Sequence, residues 1–122
     1  MSMSRLKIIP EPFASSNNLY YVLVNAEGYY QAANSCFLKK FGWDEATVTS
    51  VHSFQTIYSK DQPACVKAAE NCQKQPGKPV TVDLRKANRK EGLLYTRWEF
   101  TWLQNEEEAC MQCIGYDIAA EA

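Results

Sequence analysis

Few residues of this 122-residue chain have the types and the spacing that reactive sites require. Cys110 and Cys113 have the C-x-x-C spacing of metal and redox sites. The residues around them are typical of a strand, however, which directs the two thiols to opposite faces of a sheet. Zinc would also need two more ligands, whereas Cys65 and Cys72 have the spacing of a packed helix face. The sequence therefore predicts structural cysteines and no metal site.

Patterns that indicate catalysis are also missing. The sequence contains no phosphate-binding Gly-rich loop and no Gly-x-Ser-x-Gly motif, and its only histidine, His52, accompanies no plausible nucleophile. Asp83 and Glu99 are the nearest candidates for an acid/base pair, but both fall on outward faces of predicted strands. We therefore predict no catalytic residue and no enzyme. Only a carboxylate inside an apolar cavity would favour the alternative of a small α+β isomerase.

Composition and charge restrict the partners. A formal net charge of -1 provides no long-range attraction for nucleic acid or anionic membrane, and 46% hydrophobic residues are enough for one folded domain. Arg85, Lys86, Arg89 and Lys90 cluster locally, and we interpret them as a solvated hairpin end diluted by Glu91. Five cysteines, an odd number, favour reduced thiols, and no apolar run approaches the ~20 residues of a membrane span. The sequence thus predicts a cytoplasmic protein that binds neither nucleic acid nor membrane.

The first part of the chain predicts a hairpin followed by a capped helix. An aromatic and β-branched run at 20–24 indicates a buried strand, and a turn over 25–28 returns the chain as a second strand at 29–32. Asn34 is expected to cap a helix, because its side-chain oxygen can accept from N–H groups of the first turn. Gly42 lies where that helix ends.

The remaining residues predict more helices and then three strands. Short, irregular helices are expected over 44–58, and a longer helix begins near Ser59 or Asp61 and ends at Pro76. After Pro79 the apolar period changes from about 3.6 to 2, which indicates strands joined by charged turns. Three consecutive strands of this kind exclude a doubly wound parallel sheet. We predict an α+β fold in which a five-stranded antiparallel sheet carries short helices packed across one face.

Residues 19–118 resemble the PAS family of sensory domains. The resemblance implies a lead-in segment at 1–18, a PAS domain at 19–118, and the start of a linker to an output domain at 119–122. The motifs that carry it occur in the family's order. They are Asn25-Ala26-Glu27-Gly28, then Asn34 and Phe37 with Gly42-Trp43, then Tyr58-Ser59-Lys60-Asp61, which matches only at Asp61, then Asn88-Arg89-Lys90-Glu91-Gly92, and finally Gly115-Tyr116-Asp117-Ile118-Ala119.

The resemblance also implies where function would lie. Some members of the family hold a small molecule between the helices and the sheet, and the C-terminal strand leads to the output domain. Asp117 and Ile118 are therefore the candidate residues for signal output. The candidate ligand pocket consists of Phe37, Phe41, Trp43, His52, Phe54 and Trp98.

Flavin and haem are disfavoured as cofactors, and the cofactor is otherwise left open. Cys36, within Asn34-Ser35-Cys36-Phe37-Leu38, is similar to the cysteine motif of flavin-binding light sensors of the same superfamily. It precedes Gly42-Trp43, however, whereas the cysteine of those sensors follows the corresponding element. Haem-binding relatives usually take their iron ligand from the long helix, here 61–74, which contains no histidine.

The function predicted from these observations is a sensory and signalling module. It binds a small ligand or a partner and relays a conformational change through its C-terminal strand. The resemblance implies a homodimer within a larger signal-transduction protein, such as a sensor histidine kinase, that acts on a downstream signalling domain. The alternative is a ligand-free module for dimerisation or protein interaction through the aromatic face of the sheet around Trp98, Phe100 and Trp102.

Overall fold

The alternating residues after Pro79 form three neighbouring strands, which the first hairpin completes into one antiparallel sheet. The computed structural model describes residues 9–88 and 92–119. The strands are β1 Tyr20–Val24, β2 Tyr30–Ala33, β3 Val80–Asn88, β4 Gly92–Gln104 and β5 Ala109–Asp117. They lie in the order β2-β1-β5-β4-β3, so β5 occupies the centre, as its mostly apolar sequence predicted.

Helices connect β2 to β3 and cover one face of the sheet. They are α1 Ser35–Phe41, α2 Glu45–Val48 and α3 Gln62–Lys74, with 3-10 turns at Ser53–Thr56 and Ser59–Asp61. The aromatic stripe of Trp98, Phe100 and Trp102 is buried against these helices. The predicted α+β fold, with its five-stranded antiparallel sheet, is thereby confirmed. Even α3, with 13 residues, is too short to cross a bilayer, and no other helix of the described ranges has the necessary length and apolar character.

The first hairpin turns where the sequence predicted, but its second strand begins one residue later than expected. Asn25 organises the turn, because its Oδ1 accepts from the backbone N–H groups of Glu27 at 3.0 Å and Tyr29 at 2.9 Å. Gly28 adopts a φ of 95°, a conformation that residues with a Cβ rarely adopt. Tyr29 lies outside β2 because it forms an isolated bridge with His52, and pairing with β1 starts at the next residue.

Asn34 caps α1, as predicted, and also joins it to two other segments. Its Oδ1 accepts from the backbone N–H of Phe37 at 3.1 Å and from that of Tyr21 at 3.2 Å. Its Nδ2 donates to the carbonyl oxygens of Phe13 at 2.7 Å and Leu19 at 2.9 Å. Since Asn34 is buried, all four hydrogen bonds form away from water and hold the lead-in segment against the first hairpin.

A second, smaller core lies on the outer face of the sheet. Tyr21, Leu23 and Cys110 are its buried members, and Ile9 and Phe13 of the lead-in pack over them. The rings of Phe13 and Tyr21 have centroids 5.1 Å apart. The chain turns at Phe13, as predicted, and this turn brings both lead-in side chains to the sheet.

The connection over 51–58 reaches both edge strands of the sheet. At one end, the carbonyl oxygen of Val51 accepts from the backbone N–H of Tyr30 in β2 at 3.2 Å. At the other end, the backbone N–H of Tyr58 donates to the carbonyl oxygen of Arg85 in β3 at 2.8 Å. Because β2 and β3 are the two edges, the connection spans the whole helical side of the sheet.

Asp61 anchors the start of α3 to the edge strand β3. Its Oδ2 accepts from the backbone N–H of Arg85 at 2.7 Å and from Nε at 2.9 Å, and its Oδ1 accepts from Nη2 at 2.6 Å. The hydrogen bonds from the Arg85 side chain lower the pKa of the Asp61 carboxyl group. The guanidinium also lies 4.5 Å from the ring centroid of Tyr58. Asp61 is thus the residue of its segment that matches the PAS pattern and the one that fixes the helix to the sheet.

Asp61→Asn should lower the free energy of unfolding by about 1.5–3 kcal/mol at pH 7, because it weakens charge-assisted hydrogen bonds to a carboxylate that is only 15% exposed. The pKa of Asp61 is lower in the folded protein. Its contribution is therefore present above the unfolded-state pKa and is lost as the pH falls through the lower, folded-state pKa. Urea unfolding at pH 7 and at about pH 2.5 should show a smaller difference between wild type and variant at the acidic pH.

Asp83→Asn is the matched control, because Asp83 belongs to the edge strand β3 that Asp61 contacts. Asp83 accepts from Arg97 at 2.7 Å, but the two side chains are 52% and 41% exposed. Exposed pairs of this kind contribute roughly 0–1 kcal/mol. Equal losses in the two variants would contradict a special anchoring role for Asp61.

Candidate functional site

Five of the six predicted pocket residues lie in or against the main core. Phe37, Phe41 and Trp98 are almost wholly buried, with ring centroids 4.8 Å apart for the two phenylalanines and 6.4 Å apart for Phe37 and Trp98. Tyr20 completes this cluster, and Trp43 and Phe54 are partly buried against the same core. The rings of the cluster therefore pack against one another.

Phe54 also lines a groove beside this core, together with His52, the sixth predicted residue. It has a volume of about 270 Å³ and lies between the first hairpin turn, the 3-10 turn at Ser53–Thr56 and α3. Val66 of α3 and Trp102 and Met111 of the sheet also line it. The structure thus places five of the six predicted residues at the main core, and Phe54 and His52 line the apolar groove beside it.

Both ring nitrogens of His52 are engaged within the protein. Its Nε2 lies 2.8 Å from the carbonyl oxygen of Glu27, and its Nδ1 accepts from the backbone N–H of Phe54 at 3.1 Å. This pattern requires Nε2–H as the donor. A Cβ at Gly28 would come within 2.4 Å of Nε2. His52 therefore joins the hairpin turn to the 3-10 turn, a contact that depends on glycine at position 28.

Lys86 is buried in the main core, contrary to its interpretation as part of a solvated hairpin end. Its side chain is 3% exposed. Its Nζ donates to Tyr30 Oη at 2.9 Å and to Thr56 Oγ1 at 3.3 Å. The same nitrogen lies 4.8 Å from the ring of Trp98. The structure therefore places an ammonium group at the centre of the candidate site, where the sequence analysis had placed none.

One sequence signal could have identified Lys86. It follows Leu84 by two residues in a segment of period two, so both side chains lie on the inner face of β3. The prediction was wrong because the type of side chain was given more weight than its position in the strand. Of the other members of that basic cluster, Arg85 is partly buried, and Arg89 and Lys90 lie outside the described residues.

The predicted output residues are tied to three other elements. Tyr20 Oη of β1 donates to Asp117 Oδ1 at 2.5 Å. Lys40 Nζ of α1 lies 4.0 Å from Asp117 Oδ2. The backbone N–H of Ile118 donates to the carbonyl oxygen of Tyr95 in β4 at 2.9 Å. The end of β5 therefore contacts both sheet neighbours and the first helix.

Trp98 connects the core to the strand that ends in the output residues. It pairs with Gly115 of β5, and a Cβ at that glycine would lie 2.5 Å from the indole ring. The indole stacks on Tyr20 with centroids 5.8 Å apart and planes at 25°, and its Nε1–H donates to Thr96 Oγ1 at 2.7 Å. A displacement of Trp98 would thus act directly on both β1 and β5.

The cysteines are divided between the two cores. Cys110 lies in the outer core and Cys113 in the main core, so their thiols point to opposite faces, as predicted. Burial raises the pKa of the Cys113 thiol well above its ordinary value. No disulfide joins any of the five cysteines, and among residues 9–88 and 92–119 no three His, Cys, Asp or Glu side chains group as metal ligands would.

The predicted acid/base candidates lie outside the core. Asp83 and Glu99 are both exposed, and they pair with Arg97 and Thr81 across the outer face of the sheet. Neither carboxylate faces an apolar cavity, which removes the observation on which an isomerase would depend.

Comparisons with known proteins identify one fold. No family model and no curated protein matches the sequence. The PAS domain of a protein from Desulfitobacterium hafniense matches with a TM-score of 0.71 at 18% identity, covering 89% of this chain and 100% of that one. A PAS domain from Colwellia psychrerythraea has a TM-score of 0.75 at 12% identity, covering 87% and 90%. A PAS domain from a two-component sensor histidine kinase has a TM-score of 0.69 at 13% identity, covering 86% and 88%.

Gly115→Ala should lower the free energy of unfolding by about 1–3 kcal/mol, because the new methyl group would overlap the Trp98 ring. Trp98→Leu alone should also be destabilising, since it leaves a cavity in the core. In the double variant the leucine leaves space for the methyl group, so the combined cost should be smaller than the sum. Urea unfolding of all four proteins measures this coupling, and purely additive costs would contradict the close contact.

Proposed function

We propose that this chain, which has the fold of PAS domains, is a cytoplasmic sensory and signalling module rather than an enzyme. It binds a small ligand or a partner at the core and relays a conformational change through β5. It works as a homodimer within a larger signal-transduction protein, such as a sensor histidine kinase, and acts on a downstream signalling domain. The similar fold of a PAS domain from a two-component sensor histidine kinase supports this setting.

The observation that carries the proposal is a continuous set of contacts from the core to the end of β5. Lys86 lies over Trp98, Trp98 stacks on Tyr20, and the Tyr20 hydroxyl donates to Asp117. Each group in this series is in direct contact with the next. A change at the core can therefore alter the hydrogen bond at Asp117 and the position of Ile118 through direct contacts alone.

The proposed ligand pocket retains the residues predicted from the sequence and adds Lys86. His52 and Phe54 contribute through the groove, and Trp98 and Lys86 contribute through a small void that adjoins it. The remaining members pack around Trp98 and would respond to its movement. They are Phe37, Phe41 and Trp43.

The alternative function, a ligand-free interaction module, would use the outer face of the sheet. The stripe around Trp98 is buried beneath the helices, so a partner would have to contact other side chains. Leu93, Tyr95 and Tyr116 are 41%, 39% and 38% exposed and are large enough to contribute to such an interface. Sedimentation analysis at high concentration examines this alternative, and a strictly monomeric profile would count against it and against the proposed homodimer.

Native mass spectrometry of freshly purified protein, together with its absorption spectrum, tests the proposed ligand. We expect a mass excess that is released on denaturation, or that appears when the protein is incubated with a mixture of small metabolites. A protein that stays empty under both conditions would contradict the ligand-sensing function and leave the interaction module as the better account.

Tyr20→Phe should loosen the end of β5, because it removes the hydroxyl that donates to Asp117 while keeping the ring that stacks on Trp98. We expect backbone amides at 116–118 to exchange hydrogen several times faster, with no change in β3. Hydrogen exchange followed by mass spectrometry measures this effect.

Tyr21→Phe is the matched control, since it removes the hydroxyl of the neighbouring residue on the opposite face. That hydroxyl donates to Gln112 Oε1 at 2.8 Å, away from Asp117. The control should leave exchange at 116–118 as in the wild type. If Tyr20→Phe also leaves it unchanged, the proposed connection between the core and the output residues is wrong.

A further inference from the structure

Lys86 introduces a cation into the core without a carboxylate beside it. Across residues 9–88 and 92–119, no Asp or Glu oxygen lies within 4.0 Å of its Nζ. An ammonium group has three N–H donors, and the hydroxyls of Tyr30 and Thr56 occupy two of them. The group can therefore bind one more acceptor, and a negatively charged one would be favoured.

Space for that acceptor adjoins the ammonium group. Lys86 lines a void of about 20 Å³, enough for about one water molecule. Val24, Ser53, Cys65 and Met111 line both this void and the groove of about 270 Å³ that opens beside α3. These side chains are the partition between the two spaces, and the unbranched methionine can change rotamer to open it.

We propose that the groove and the void form one binding site for a small monocarboxylate with an apolar body, such as a medium-chain alkanoate. The carboxylate binds Lys86 Nζ at the inner end, and the hydrocarbon chain lies in the groove. This inference rests on the proposed sensory function and specifies its class of ligand.

The chemistry at the two ends of the site, Lys86 inside and the groove outside, favours a monocarboxylate over other classes of ligand. A carboxylate supplies both the charge and the acceptor that Lys86 lacks, and the hydroxyls of Tyr30 and Thr56, 2.7 Å apart, lie close enough to rearrange around it. An amine would place a second cation beside the first. A second carboxylate on the ligand would find no Lys or Arg among the residues that line the groove, where Glu27 and Glu70 have the same sign of charge.

Acidic side chains at the groove do not oppose such a ligand strongly. Glu27 and Glu70 also line the groove, but both are exposed, so water and salt screen their charges. The inner part of the groove is apolar and favours the hydrocarbon chain. The expected ligand therefore enters with its carboxylate first and is held by burial of its chain.

Binding would also act on the residue that connects the core to β5. Lys86 Nζ lies 4.8 Å from the Trp98 ring, and a carboxylate that draws the ammonium toward the void changes this cation–π contact. The groove is lined by Trp102 as well. Tryptophan fluorescence should therefore report binding directly.

The test is a titration of the whole chain with octanoate, octanol and octylamine, followed by tryptophan fluorescence and calorimetry. Octanoate should bind saturably with one molecule per chain, and octanol should bind roughly 10- to 100-fold more weakly because it lacks the charge-assisted hydrogen bond. Lys86→Met should weaken octanoate binding by a similar factor. Lys67→Met, which removes an exposed lysine on α3, is the control for net charge and should bind octanoate as the wild type does.

A second variant tests the groove while Lys86 stays in place. Val66 is 41% exposed and lines the groove, so Val66→Trp should fold and block access to the inner end. Octanoate binding should then be lost while the melting temperature remains close to that of the wild type. This variant keeps the test valid even if Lys86→Met proves unstable.

Several outcomes would overturn the site. They are equal binding of octanol and octanoate, unchanged octanoate binding in folded Lys86→Met or in Val66→Trp, and no saturable binding at all. If octanoate fails to bind but native mass spectrometry finds a different ligand, the carboxylate site is wrong and the sensory function stands.

If octanoate binds at Lys86 but hydrogen exchange at 116–118 is unaffected, the site is correct and the proposed relay is wrong.

Discussion

The contact of Trp98 with Gly115 determines how the described core is arranged. The indole occupies the space that any side chain at position 115 would need, since a Cβ there would lie 2.5 Å from the ring. The same ring stacks on Tyr20 of β1, donates from Nε1 to Thr96 of β4, and receives Lys86 of β3 over its face. Four strands of the sheet therefore meet at one side chain. The aromatic cluster, the buried cation and the end of β5 all depend on this fit.

The buried ammonium group of Lys86 is the least expected consequence of this arrangement. Transfer of a charge from water into an apolar core is costly unless other groups replace its hydration. Two hydroxyl oxygens and the faces of three aromatic rings, all within 5.5 Å, provide that replacement. Lys86 also lines a void of about 20 Å³, which leaves space beside the side chain for a further acceptor.

Local signals in the sequence were sufficient to predict the helices and strands of the fold. The cap at Asn34 and the left-handed glycine at position 42, with φ of 79°, lie where they were predicted, as do the two faces of β4. The arrangement of the site depended on distant residues. Lys86 is stabilised by Tyr30 and Thr56, 56 and 30 residues earlier, and no local pattern relates them. Likewise, periodicity could identify Phe37 and Trp98 as core residues, but it could not show that they pack against each other and leave the groove to His52 and Phe54.

The connection over 51–58 has an effect on the shape of the sheet and on its exposed edges. Residues 53–56 form a 3-10 turn, so Val51 and Tyr58, which bond to the two edges, can be separated by only about 20 Å. A flat sheet of five strands, with the connection paired outside both edges, would need roughly 29 Å. The sheet must therefore curl toward its helices for the connection to bond to β2 and β3 at the same time. Along those short stretches, the edges already have backbone partners within the chain, so a strand from another molecule could not pair there.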